Sequence, residues 1–157
     1  MIFITLGSQK FQFNRILEEI DRLIESHKIN ETVVAQIGAC TYVPKYFSYQ
    51  NYYDREEFER EINKSDIIVT HGGTGAIVGS LKKGKLVIVV PRLKKYGEHV
   101  DDHQIEITKQ FDGLNLICPC YNLKELAEKI KYIRECNFAK YSSNTNTIMK
   151  SIEEFIS

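Results

Sequence analysis

The chain has 157 residues, 43% of them hydrophobic, with 21 basic side chains against 21 acidic ones. That length suits one domain with its own core, and the balanced charge leaves no global field that calls for nucleic acid or an anionic membrane. No apolar run approaches the roughly 20 residues of a membrane helix. The opening residues read as a strand rather than a secretory leader, and Cys40, Cys118, Cys120 and Cys136 lack paired spacing and read as reduced cytoplasmic thiols.

Strand and helix signals alternate from the start. Ile2 to Leu6 is an apolar strand that ends at Gly7-Ser8. Phe13, Ile16, Leu17, Ile20, Leu23 and Ile24 then form one face of a helix. Thr32 to Ile37 is a β-branched strand closed by Gly38, and residues 39–50 read as irregular, with a strand end at Asn51-Tyr52-Tyr53. Asp54 and Glu57 have capping-box spacing ahead of a helix with Phe58 and Ile62. Ile67 to Thr70 is a strand, followed by a glycine turn and a helix ended by Gly84. Leu86 to Val90 is a buried type of strand stopped by Pro91. A polar loop from Arg92 to Gly97 leads to a helix expected from His99 to Phe111, ended by Gly113. Leu114 to Cys118 is the last expected strand, and Asn122 caps a helix with Leu126, Ala127, Ile130 and Ile133. A final helix would carry Ile148, Met149, Ile152, Phe155 and Ile156 on one stripe, either packed on the sheet or docking a partner. The pattern predicts an α/β, Rossmann-like fold: a mostly parallel sheet of about six strands with helices on both faces.

The densest signal is Thr70-His71-Gly72-Gly73-Thr74-Gly75. A strand that turns through glycines into a helix leaves backbone N–H groups free at the helix start, where an anion such as phosphate is favoured. Gly7-Ser8 makes a second such turn. Ligands of these sheets lie beyond the carboxyl ends of the strands, which collects both turns, Gly38, Tyr53-Asp54 and Pro91-Arg92 on one rim. The cluster Glu98-His99-Val100-Asp101-Asp102-His103-Gln104 follows. It reads as a sugar-hydroxyl site over the phosphates, as a solvated helix start, or as a metal site with His99 and His103 on one helical face. Gly7-Ser8-Gln9-Lys10 lacks the Gly-x-Gly-x-x-Gly of a dehydrogenase.

In their order, Leu6-Gly7-Ser8, His71-Gly72-Gly73-Thr74-Gly75, Val89-Val90-Pro91 and Asp101-Asp102-His103-Gln104 resemble the C-terminal, donor-binding half of glycosyltransferase family 28, a GT-B family, over residues 1–135. Within it the chain is most similar to small subunits of split bacterial exopolysaccharide or capsule glycosyltransferases. It is also similar to the catalytic subunit of the eukaryotic two-subunit dolichol-pathway N-acetylglucosaminyltransferase. The resemblance implies that residues 1–157 form one UDP-sugar-binding domain, half of a GT-B enzyme. Gly7 and Ser8 would face the diphosphate, Tyr52 and Tyr53 would read uracil through their backbone, and His71, Gly72, Gly73, Thr74 and Gly75 would close over the phosphates. Asp102 falls in the motif, His103 and Gln104 match the pair that holds the sugar hydroxyls, and Arg92 and Glu98 would flank the same pocket. Gly79 stands where single-chain relatives carry an acid for the ribose hydroxyls.

The expected reaction is inverting transfer of a hexose from a UDP-sugar to a lipid-linked glycan, in exopolysaccharide or capsule biosynthesis. The UDP-sugar is the substrate, and no cofactor or metal is expected: there is no Asp-x-Asp signature, and Asp101 and Asp102 are adjacent. The catalytic base is expected on a membrane-associated, acceptor-binding partner subunit, with His103 as the one candidate here. That partner would recruit a cytoplasmic protein to the inner face of the membrane. The alternative is a non-catalytic, nucleotide-sugar-binding regulatory subunit. The basic tract Arg92-Leu93-Lys94-Lys95 reads as a solvated loop, or as reaching a uronate carboxylate or a membrane phosphate.

Overall fold

The computed structural model describes residues 1–142; the expected final helix, from Ile148 to Ile156, lies outside them. The strands are β1 (Ile2–Thr5), β2 (Val33–Gln36), β3 (Ser48–Gln50), β4 (Ile67–Thr70), β5 (Leu86–Val89) and β6 (Cys118–Pro119). The helices are α1 (Asn14–Glu25), α2 (Arg55–Lys64), α3 (Thr74–Lys82), α4 (His103–Gly113) and α5 (Leu126–Tyr132). The sheet runs β3-β2-β1-β4-β5-β6 with every pairing parallel. The Rossmann-like fold read from the alternation is therefore the fold observed.

Alternation along the strands sorts the core into two layers. Ile2, Ile4, Ile67, Val69 and Ile88 pack with α1 and α5 on one face. Phe3, Ile68, Val87 and Val89 pack with α2, α3 and α4 on the other. The Asp54/Glu57 capping box forms as read, with the Asp54 carboxylate accepting from the Glu57 N–H at 2.8 Å.

Three expectations are corrected. The edge strand is Ser48–Gln50, within the stretch read as irregular; all three residues are exposed, so no burial pattern marks it. Helix α4 begins at His103 rather than His99 and includes Gly113. Asn115, left-handed at φ 56°, closes it in the role expected of that glycine. The Leu116 N–H bonds back to the Phe111 carbonyl, so residues 114 and 115 turn out of the helix and the strand starts only at Cys118.

Candidate functional site

Strand order reverses between β1 and β4, and in such sheets the crevice at that switch receives ligands. Gly7 leaves β1 and His71 leaves β4 side by side there. Gly7 is left-handed, at φ 77°, a conformation that suits glycine. A Cβ on it would also stand 2.7 Å from His71 Nε2. On the other side of the ring, a Cβ at Gly73 would lie 2.2 Å from His71 Cε1. The His71 imidazole is thus clasped between two glycine backbones and is buried. Burial, reinforced by the Arg92 charge, lowers its pKa to about 4, so the ring is neutral at pH 7.

Helix α3 starts directly after this ring. Gly73 is its N-cap and supplies no side chain to cap it; the first ladder bond runs from the Ile77 N–H to the Gly73 carbonyl. The N–H groups of Thr74, Gly75 and Ala76 therefore have no partner within the helix. The Thr74 hydroxyl is buried without a hydrogen-bond partner. Ser8 is exposed on the facing loop. An uncapped helix start with free N–H groups favours an acceptor-rich, negatively charged group.

The glycines separate by what surrounds them. Gly73→Ala drives a methyl group into the imidazole and should cost about 2 kcal/mol, measured by denaturant unfolding. Gly79 has nothing within 4 Å of an added Cβ and lies inside α3. Gly79→Ala should raise stability by roughly 0.5–1 kcal/mol. A loss at position 79, or none at 73, would contradict this geometry.

Arg92 and Glu98, expected to flank the pocket, lie beneath it and are fully buried. The Arg92 guanidinium donates to the carbonyls of Leu6, Phe11, Gln12 and Glu98. The Glu98 carboxylate accepts from Arg15 at 2.9 and 3.0 Å and from the Leu93 N–H at 2.9 Å. Together they fasten the loop after β1 to the loop after β5. Residues 98–102 lie outside the helix, with Glu98 tied into the loop by these bonds. The Asp101 carboxylate then accepts from the His103 N–H at 2.9 Å, which holds its pKa down. Because His99 precedes α4, it and His103 do not share a helical face. Among the described residues no group of three or more His, Cys, Asp or Glu side chains is placed to hold a metal.

Gln104 points inward from α4. Its Oε1 accepts from the N–H groups of Gly72 and Arg92, each at 3.0 Å, and its Nε2 lies 3.2 Å from His71 Nδ1. The side chain that the resemblance matches to sugar hydroxyls bonds to the glycine turn in this structure. His103 is half-buried at the rim, and Asp102 is exposed, accepting from the Lys94 N–H. The Tyr53 N–H donates to Gln36 Oε1 at 3.0 Å. Tyr52 is exposed, and no hydrogen bond among the described residues engages its peptide groups. Gln12, whose amide nitrogen donates to the Tyr96 carbonyl, and Gln36 escaped the sequence reading, since a glutamine in a loop or at a strand end carries no spacing signal.

A cavity of about 730 Å³ at the opposite end of the sheet is lined by residues such as His27, Glu31 and Arg134. It contains neither glycine turn. Arg134, Glu31, Asp66 and the Met1 amine form an ion-pair network at that end.

The model of the glycosyltransferase family 28 C-terminal domain matches residues 1–157. The UDP-N-acetylglucosamine transferase subunit ALG13 of Homo sapiens is 31% identical over 129 residues, 76% of this chain and 11% of that one. Its namesake in Candida albicans is 36% identical over 84 residues, 54% of this chain and 25% of that one. The chain thus spans a quarter or less of these two relatives. The solved glycotransferase of kitacinnamycin superposes with a TM-score of 0.60 at 16% identity, over 98% of this chain and 38% of its own, a likeness of fold. With the glycine turn, the switch-point crevice and a family match along its whole length, this chain belongs to the glycosyltransferase family 28 C-terminal domain family.

Proposed function

We propose that this chain is the donor-binding subunit of a two-component, inverting glycosyltransferase and that it holds a UDP-sugar with the diphosphate in the crevice between β1 and β4. The observation that carries this reading is the buried, unpartnered Thr74 hydroxyl beside the uncapped N-terminus of α3. A buried hydroxyl without a partner is costly, and a phosphate oxygen would satisfy it together with the N–H groups around it. The likeness to UDP-N-acetylglucosamine transferase subunits makes UDP-N-acetylglucosamine the first donor to try.

In the transfer step the acceptor hydroxyl attacks the anomeric carbon while the bond from that carbon to the β-phosphate oxygen breaks. The departing UDP gains negative charge. The α3 amides, the Thr74 hydroxyl and His71 meet that charge from fixed positions, without a metal. His103, at the start of α4, is the side chain assigned to the sugar hydroxyls. Gly79 carries no side chain toward the ribose, so ribose is held by backbone or by the partner. The acceptor, a lipid-linked glycan of exopolysaccharide or capsule synthesis, and the base that deprotonates it belong to a membrane-associated partner subunit. Among the described residues no helix is long and apolar enough to cross a membrane.

Calorimetric titration with UDP and a panel of UDP-sugars, first in chelator and then with divalent metal, tests the reading. The expected result is metal-independent binding of UDP, tighter for one sugar conjugate. Absence of UDP binding, both by the chain alone and by the chain co-purified with its partner, would overturn it.

A further inference from the structure

The Gln104 side chain is oriented by its surroundings. Its oxygen accepts two backbone N–H groups, from Gly72 and Arg92, each at 3.0 Å. Those are donors only, so the atom between them is the oxygen and the atom at His71 is the NH₂. An NH₂ group placed 3.2 Å from His71 Nδ1 can only donate to it. Nδ1 is therefore the lone-pair nitrogen, and the ring proton sits on Nε2. Nε2 is the atom beside Gly7, on the loop that leaves β1 at the switch point. It has no hydrogen-bond partner among the described residues.

The base of Gln104 is as fixed as its tip. Its side chain is buried, and its own carbonyl accepts from the Thr108 hydroxyl at 2.7 Å. A Cβ at Gly72 would stand 2.8 Å from Gln104 Cβ, so the glycine lets the amide reach the ring. Arg92 and His99 are the charged and titratable groups that face the imidazole, and both oppose a second proton on it.

We infer that Gln104 is a positioning residue: its amide locks His71 as the neutral Nε2–H tautomer, so that a single donor from the imidazole faces the nucleotide diphosphate. The role rests on the proposed donor site, and it differs from the sugar-hydroxyl contact implied for this glutamine by family resemblance. A histidine free to choose its tautomer would present a lone pair to the phosphate part of the time, and an imidazolium would make binding depend on pH. With the tautomer fixed, recognition is uniform across the neutral range.

The test reads the tautomer directly. Long-range proton–nitrogen correlation spectra of the ¹⁵N-histidine-labelled chain, assigned by the signal missing from His71→Asn, should show His71 with a bare Nδ1 and a protonated Nε2. That pattern should persist between about pH 5.5 and 8. A proton on Nδ1, or titration within that interval, would overturn the proposal whether or not UDP binds. The isosteric Gln104→Glu retains the acceptor for Gly72 and Arg92 but sets a second acceptor against Nδ1, which draws the proton there. Its UDP affinity should then weaken about tenfold as pH rises from 6 to 8, while the wild-type value changes less than about twofold. A variant profile parallel to wild type, merely lower, would also overturn it. If the wild-type chain and its complex bind no UDP, the donor-site reading fails, and the nitrogen spectrum still decides the tautomer.

Discussion

Arg92→Met should lower the unfolding free energy by about 4 kcal/mol and remove UDP binding with it. The guanidinium reaches four backbone carbonyls, those of Leu6, Phe11, Gln12 and Glu98. Three of these belong to the loop after β1, which carries Gly7 and Ser8. Methionine fills the volume but leaves those carbonyls buried without donors. Water can enter to satisfy some, at the expense of the packing against Phe13, whose ring lies 5.1 Å from the guanidinium carbon. Arg92→Lys should recover less than half of the loss, because one ammonium cannot span carbonyls that a planar fork reaches from both ends. For a chain of this size the expected fall in Tm is roughly 12 °C. An unfolding midpoint unchanged from wild type in Arg92→Met would show that the loop is held by something else.

Arg92 also shows where the sequence is a poor guide. An arginine after a strand-ending proline, followed by Leu93-Lys94-Lys95, has the pattern of a solvated basic loop. Nothing in that spacing says that the first residue turns down into the core while the two lysines stay exposed. Glu98 is hidden for the same reason, since its partner Arg15 lies on α1, far away in sequence. Local signals fared better. The Asp54/Glu57 box, the apolar runs of β1, β2, β4 and β5, and the glycine turn at the end of β4 all depend on neighbours within a few residues. The direction of Gln104 lies between these cases. It depends on whether α4 starts at His99 or His103, and that start lies where Glu98 is tied into the preceding loop and the Asp101 carboxylate accepts from the His103 N–H. The edge strand β3 was illegible because an exposed strand has no apolar face to betray its period.

His71 should make the protein lose roughly 3 kcal/mol of stability between neutral pH and about pH 4. The sign follows from the direction of its shift. Burial, then the Arg92 charge, lower the folded-state pKa from the ordinary 6.5 to about 4. Between those values the unfolded chain binds a proton that the folded chain refuses, so stability rises with pH across the window and falls as the solution is acidified. Above about pH 6.5 the ring is neutral in both states, and this contribution to the slope vanishes. The carboxylates whose pKa values are lowered by their partners, Glu31, Asp66 and Asp101, exert their effect mainly below this window. His71→Asn keeps a polar side chain at the crevice but has no proton to gain. Urea unfolding at a series of pH values should therefore show a steep loss in the wild type and a shallower one in the variant, the two curves converging as the pH falls toward 4. Parallel curves would mean that the imidazole is not clasped between Gly7 and Gly73 in the folded protein. Convergence would instead tie the acid sensitivity of the fold to the ring that the glycine turns exist to seat.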